Sequence, residues 1–217
     1  MRPSFTLDLY LVTDRALCGE LGVEAVVAEA VAGGVTMVQL RDDTTPDAEL
    51  VALARSLMAL LKPAGVPLIV NNRIEIAAAA EATGVHVGQS DATPVLARSR
   101  LGPGAIVGLS ITAAEQLAHV PEHAVDYLGV GPVFATATKL DAAPTMGLAG
   151  LAGIRSLTRL PIVAIGGLDR TNAASAIAAG ADGIAVVSAI CAAQSPRSAA
   201  RELSGLVRAS RQEGTGT

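Results

Sequence analysis

The sequence has no tryptophan, two tyrosines and two phenylalanines, so rings make up 2% of 217 residues although 51% are hydrophobic. An interior built from such a chain must be filled chiefly by Ala, Val, Leu and Ile. Charge is scarce too: 17% of residues are Asp, Glu, Lys or Arg, against about 25% in an ordinary soluble domain. The 16 basic residues are scattered among 20 acidic ones, for a net charge of -4. Without clustered cations, or rings between them on which bases could stack, nucleic-acid binding is excluded as a leading function. Cysteine is limited to Cys18 and Cys191, whose separation fits neither a zinc nor a redox motif. Two reduced, buried packing thiols are expected. The first residues carry no apolar run of the secretory kind, so a cytoplasmic location is expected.

Long unbroken hydrophobic runs are also missing. The mean hydropathy of +0.48 would suit a membrane protein, and the most membrane-like stretch, 171–194, holds one charge, Asp182. Gly180 and Gly183 interrupt it, and a spanning helix needs about 20 predominantly apolar residues. It reads instead as a small-residue helix, a turn and a buried strand, with no membrane association. Richness in Val, Leu and Ile excludes general disorder, and a chain of this length can bury about 70% of its extended surface.

What is present is an alternation. Short apolar runs occur at 9–13, 35–40, 68–70, 85–87, 106–109, 127–130, 162–165 and 184–187. Most are β-branched and apolar throughout, as expected of parallel strands covered on both faces. Helical segments such as 23–32, 47–61, 73–82, 113–118 and 172–179 lie between them. Pro46 opens one helix, Pro63 follows its end, and Gly33, Gly84 and Gly180 are expected to close others. Eight strand–helix units in about 200 residues match a (β/α)8 TIM barrel. The rival doubly wound sheet would carry a glycine fingerprint after its first strand, where this chain has Thr13-Asp14-Arg15-Ala16. The expectation is an α/β chain forming one domain, with the barrel at about 8–208 and a loose tail from 212. Branched aliphatic layers should fill the barrel.

In this fold the active site lies at the C-terminal ends of the strands, and polar residues collect there. Gln39, Arg41, Asp42 and Asp43 follow the second run; Asn71, Asn72 and Arg73 the third; Gln89, Ser90 and Asp91 the fourth. Ser110 ends the fifth, Thr136 to Lys139 follow the sixth, Gly166-Gly167 end the seventh and Ser188 the eighth. The glycine pair, with a helix expected to be capped by Asp169, and the segment after Ser188 supply bare amides and helix N-termini suited to phosphate. Asp91 is a magnesium candidate, because that ion takes few protein carboxylates and fills its shell with water and phosphate. Asp42 and Asp43 diverge as neighbours and read as a solvated loop. His119 and His123 are separated by Pro121, against a helical zinc pair. His86 falls within the fourth run and reads as a hydrogen-bonded core or barrel-mouth residue. No Ser–His–Asp arrangement is apparent, so the chemistry rests on anion handling rather than a covalent nucleophile.

Tyr10-Leu-Val-Thr-Asp14, Val38-Gln-Leu-Arg41, Asn71-Asn-Arg73, His86-Val-Gly-Gln-Ser-Asp91, Gly131-Pro-Val-Phe-Ala-Thr-Ala-Thr-Lys139, Ala164-Ile-Gly-Gly167 and Val186-Val-Ser-Ala-Ile190 together resemble the thiamine phosphate synthases. The likeness runs in order from about Tyr10 to Arg208. It implies a transferase that joins a hydroxymethylpyrimidine diphosphate to a thiazole phosphate, giving thiamine monophosphate and pyrophosphate. A magnesium ion assists departure of pyrophosphate, and the thiazole nitrogen traps the pyrimidine carbocation. Carried over by position, Gln39, Arg41, Asn71, Ser110 and Lys139 hold the pyrimidine diphosphate, with Arg41, Ser110 and Lys139 closest to the chemistry. Asp91 and Asn72 face the metal. Thr136, Thr138, Gly167, Val187 and Ser188 hold the thiazole phosphate. The chain is compatible with a homodimer, although its sequence fixes no oligomeric state.

Three positions depart from the family pattern. Asp43 stands where a lysine is usual, Asn72 where an aspartate is common, and Leu140 where proline often follows the Thr-Lys pair. The departures keep thiazole tautomerase relatives in view, although Asp91 and Lys139 argue against them. A phosphosugar isomerase or epimerase barrel would share the phosphate loops but wants paired acid/base carboxylates. A phosphate-ligand sensor would need an effector element that the sequence does not show.

Overall fold

A computed structural model describes residues 4–136, 138 and 143–214. Eight parallel strands pair in chain order and close into a barrel. They are β1 (Leu9–Val12), β2 (Met37–Leu40), β3 (Leu68–Asn71), β4 (Gly84–Val87), β5 (Ile106–Ile111), β6 (Tyr127–Val130), β7 (Ile162–Ile165) and β8 (Gly183–Val186). Tyr10 stands opposite Met37 of β2 and Ala185 of β8, which joins the first strand to the last. The expected (β/α)8 barrel is the observed one.

The helices are α1 (Arg15–Cys18), α2 (Val23–Gly33), α3 (Asp47–Leu61), α4 (Ile74–Ala79), α5 (Pro94–Leu101), α6 (Gly147–Leu157), α7 (Ala173–Ala178), α8 (Ser188–Cys191) and α9 (Pro196–Gly214). Among the described residues, none is long and apolar enough to cross a membrane. The fifth crossover differs from expectation: Ala114–His119 is a 3-10 segment. Its Gln116 side-chain carbonyl turns back to accept from the amides of Thr112 and Ala113, at 2.8 and 3.3 Å. The expected helix at 73–82 shrinks to α4, because Glu81 takes a left-handed φ of +54°. Gly33 is the last residue of α2, as expected, and a Cβ there would come 2.4 Å from the Arg197 carbonyl of α9. Gly34, at φ +112°, closes that helix. Gly84 opens β4, where a Cβ would stand 1.9 Å from the Ile106 carbonyl. The expected loose tail is helical as far as Gly214. Ala200, Leu203, Ser204 and Val207 are buried at helical spacing and hold α9 against α2 and α7.

Two apolar bodies stabilise the barrel. The larger lies between strands and helices and is aliphatic. The smaller fills the barrel itself: Leu7, Tyr10, Val12, Met37, Ile69, Ile106, Tyr127, Val163 and Ala185, with Phe5 packed beneath. Here the expectation of purely aliphatic layers fails. Three of the chain's four phenylalanine and tyrosine rings meet inside, with Tyr127 edge-on to both Tyr10 (centroids 5.9 Å) and Phe5 (6.0 Å). Edge-to-face pairs are worth about 0.5–1.5 kcal/mol beyond their burial.

The N-terminal rim repeats one device four times. The residue just before each even-numbered strand accepts, on its side chain, a backbone N–H near the start of the preceding odd strand. Thr36 takes Leu9 (3.2 Å), Thr83 takes Leu68 (3.1 Å), Asp126 takes Val107 (2.7 Å) and Asp182 takes Ile162 (2.8 Å). Thr36, Asp126 and Asp182 also donate their own N–H to the carbonyl of the same partner. In the second half of the barrel an arginine is added: Arg98 of α5 pairs with Asp126, and Arg155 of α6 with Asp182.

Candidate active site

Because every strand points the same way, the residues at strand C-termini share one rim. Gln39 and Asn71 come from β2 and β3 and Ser110 from β5, with Gln39 buried. Beneath them the barrel carries a polar thread through its apolar filling. Gln39 Nε2 donates to the Tyr10 hydroxyl (2.9 Å), which meets the Tyr127 hydroxyl (2.9 Å). Tyr127 meets His86 Nδ1 (3.0 Å), and His86 Nε2 meets Ser110 Oγ (2.9 Å). His86 is therefore the hydrogen-bonded residue at the barrel mouth that its place in the fourth run suggests. Burial pushes both phenols well above the ordinary tyrosine range, so they remain neutral donors.

Around the mouth, the loops after β1 and β2 exchange ion pairs. Arg41 reaches Asp14 (3.1 Å), whose other oxygen caps α1 at the Leu17 amide, while Arg15 reaches Asp42 (2.8 Å). Asp42 is not the solvated residue its sequence suggests. Its side chain is 4% exposed and collects the amides of Thr44 and Thr45 and the Thr45 hydroxyl. Burial alone would raise its carboxyl, but Thr45, Arg15 and Thr44 together hold it well below the usual carboxylate range. Asp43 points outward and is exposed. Arg73 braces the same loop from below through the Thr45 carbonyl and Asp47.

Asp91 and Asn72 follow the neighbouring strands β4 and β3. Asn72 sits at a left-handed φ of +57° and donates its N–H to the His86 carbonyl (2.8 Å). The Asp91 carboxylate accepts from the Gly88 amide at Oδ2 (2.8 Å). Among the described residues no three acidic, His or Cys groups cluster for a metal. One carboxylate and one amide carbonyl are nevertheless an oxygen donor set that fits a hard cation sharing its shell with water and phosphate.

On the opposite side, Gly166 and Gly167 both have positive φ, and a Cβ on Gly167 would stand 2.3 Å from the Ala135 carbonyl. The pair therefore lets the β7 loop lie directly on the segment after β6. Thr136 accepts the Thr138 amide there (3.2 Å), and Lys139 lies outside the described residues. Asp169 does not cap α7. It accepts from the Thr171 hydroxyl and amide in the turn before it, which lowers its pKa, while Asn172 occupies the cap position and ties the Gly167 carbonyl (2.8 Å). Val187 leads into α8, and its carbonyl takes the Ile190 and Cys191 amides (3.1 and 2.9 Å), so the N-terminal donors of this short helix are the Ser188 and Ala189 amides. Behind α8, Cys191 and Cys18 are both buried, and the Cys191 thiol donates to the Val12 carbonyl (3.7 Å). Its neighbour Cys18, ahead of burial, pushes the Cys191 thiol up.

Sequence reading placed the rim residues but missed the thread's middle. Tyr10 and Tyr127 look like ordinary core rings, and the one available signal was glycine. A Cβ on Gly108 would fall 2.2 Å from Tyr127 Cζ and 2.4 Å from His86 Nδ1.

Residues 9–190 match the family model described as thiamine monophosphate synthase. A thiamine-phosphate synthase of Azorhizobium caulinodans is 51% identical over 208 residues, covering 96% of this chain and 98% of that protein. One of Xanthobacter autotrophicus is 53% identical over 211 residues, covering 97% and 100%. A solved thiamine phosphate pyrophosphorylase from Pyrococcus furiosus superposes with a TM-score of 0.86 at 35% identity, covering 94% of this chain and 96% of that one. A 3-hexulose-6-phosphate synthase structure, at 20% identity and a TM-score of 0.64, shares the barrel alone. The chain belongs to the thiamine monophosphate synthase family and is an enzyme of the transferase type.

Proposed function

We propose that the enzyme joins hydroxymethylpyrimidine diphosphate to thiazole phosphate, releasing pyrophosphate and forming thiamine monophosphate. The observation that carries this reading is the two-sided rim. Arg41, Asp91 and Asn72 stand on the side of β2 to β4, the Gly167 loop and the α8 amides on the side of β7 and β8, and a buried polar floor lies between them. One side suits a diphosphate, the other a monophosphate at the loops where such barrels commonly take one.

Gln39, Asn71 and Ser110 orient the pyrimidine, and Arg41 with Lys139 faces its diphosphate. Thr136, Thr138, Gly167, Val187 and Ser188 hold the thiazole phosphate so that its ring nitrogen points at the pyrimidine methylene carbon. The carbon–oxygen bond breaks first, its electron pair leaving with pyrophosphate, and the nitrogen lone pair then closes on the carbocation. No protein nucleophile is required. The protein's work is orientation and stabilisation of charge on the leaving group. Asp91 and Asn72 would hold magnesium, which when bound supplies positive charge to the departing phosphates. The named relatives at about half identity favour this over phosphosugar chemistry.

The test mixes purified protein with both phosphorylated precursors and magnesium. Thiamine monophosphate and pyrophosphate in equal amounts are expected. No product with magnesium or manganese, together with isomerisation of a thiazole carboxylate phosphate, would give the site to tautomerase chemistry.

A further inference from the structure

With the Gln39 amide nitrogen set against the Tyr10 hydroxyl, proton counting gives the thread inside the barrel a direction. A phenol has one proton to donate, and a buried hydroxyl left without an acceptor is heavily penalised. Tyr10 is 1% exposed and already accepts from Gln39 Nε2. Its proton must therefore go to its other partner, the Tyr127 oxygen. Tyr127, fully buried, then sends its own proton to His86 Nδ1. A histidine with a bare Nδ1 carries its proton on Nε2 when neutral, so Nε2–H donates to Ser110 Oγ. Reversing the chain would leave two donors aimed at the Tyr10 oxygen and its own proton without an acceptor.

From this we infer that Tyr10, Tyr127 and His86 are positioning residues that fix the polarity of the two groups at opposite ends of the thread. Gln39, committed through its amide nitrogen, turns its carbonyl oxygen to the mouth as an acceptor. Ser110, already accepting from His86, turns its hydroxyl proton to the mouth as a donor. The site therefore prefers a ring with an N–H donor on the β2 side and a lone pair on the β5 side. An amino-substituted pyrimidine offers that pattern; an oxo-substituted one, which replaces the donor by an acceptor, does not. The barrel gives up side chains to make room for the device. Gly108 and Gly129 flank His86, and a Cβ on either would come within 3 Å of its ring, at 2.4 and 2.9 Å. Glycine in a strand interior is otherwise unfavourable and marks a close approach.

The specificity part of this inference rests on the synthase reading, whereas the direction of the thread does not, so the experiment reads each separately. Nitrogen-15 NMR of histidine-labelled protein should show His86 as the neutral Nε2–H tautomer at neutral pH. An Nδ1–H tautomer there would overturn the direction. Tyr127→Phe, which keeps the ring but cuts the thread, should turn His86 into a tautomer mixture. In the coupling assay it should raise KM for the pyrimidine diphosphate about tenfold, the scale of one lost hydrogen bond, with KM for the thiazole phosphate unchanged. It should also erode the preference for amino- over oxo-pyrimidine diphosphate, as should Tyr10→Phe. Equal change in both KM values, or an intact amino preference in both variants, would overturn the positioning role. A wild-type protein with the Nε2–H tautomer but no coupling activity would overturn the synthase reading and uphold the thread.

Discussion

At the N-terminal rim Thr36, Thr83, Asp126 and Asp182 spend their side-chain acceptors on backbone amides, whereas at the C-terminal rim Gln39, Ser110 and Arg41 bond to other side chains. Both sets are polar and both stand at strand ends. They differ in what remains available. A side chain bonded to the backbone fixes strand ends, while one bonded end-on to a neighbour is aimed, with a further lone pair or proton left for a ligand. Cavity size would mislead here. Clefts of about 490 and 590 Å³ open at the N-terminal rim, the first lined by Asp8, Asp126, Asp182 and Arg211. Those acids already hold Arg211, Arg98 and Arg155, so the hollow is a seam in the scaffold.

Substitutions at the two rims should separate turnover from stability. The largest effect expected is on turnover: Lys139→Ala should lower kcat about 10²–10³-fold, the scale for losing one group that stabilises transition-state charge. Its unfolding midpoint should match wild type, and a well-folded variant with full kcat would remove Lys139 from the chemistry. Asp126→Ala should do the reverse. It strands Arg98 and the Val107 amide in a mostly buried setting, costing about 3 kcal/mol in urea unfolding while both KM values hold. Asp182→Ala repeats that change where the carboxylate is 47% exposed, so about 1 kcal/mol is expected. Equal losses at the two aspartates would show that burial does not grade the caps.

The smallest effect concerns acid. Asp42 has a depressed carboxyl pKa in the folded chain. The stability it contributes is present above the unfolded value of about 3.9 and is lost as pH falls below that toward the folded one. Asp42→Asn should therefore flatten the loss of stability between pH 4 and pH 2, taken from urea midpoints at each pH, relative to wild type. Parallel curves would mean that the loop gains nothing from that charge.

The strands were legible to within a residue or two, because parallel strands buried on both faces are unbroken β-branched runs. The polar strand ends were legible for a related reason: an amide or hydroxyl terminating such a run has no packing role to explain it. Two features stayed hidden. The caps join residues 15 to 27 apart through short polar side chains that resemble loop residues. Tyr10, His86 and Tyr127 are far apart in sequence and become a thread only when β1, β4 and β6 face one another across a closed barrel. Asp42 was misjudged because sequence shows its neighbour Asp43 but not Thr45 folding back over it.

The caps have one more consequence, for how this barrel comes apart. Each ties an odd strand to the even strand that follows, and none bridges β2 to β3, β4 to β5, β6 to β7 or β8 to β1. The N-terminal rim is thus stitched as four two-strand modules, with no cap of this kind across their mutual boundaries. Breaking the chain within α3 leaves every stitch whole in one fragment or the other. Breaking it within α2 divides Thr36 from Leu9, so fragment complementation should favour cuts that respect the pairs.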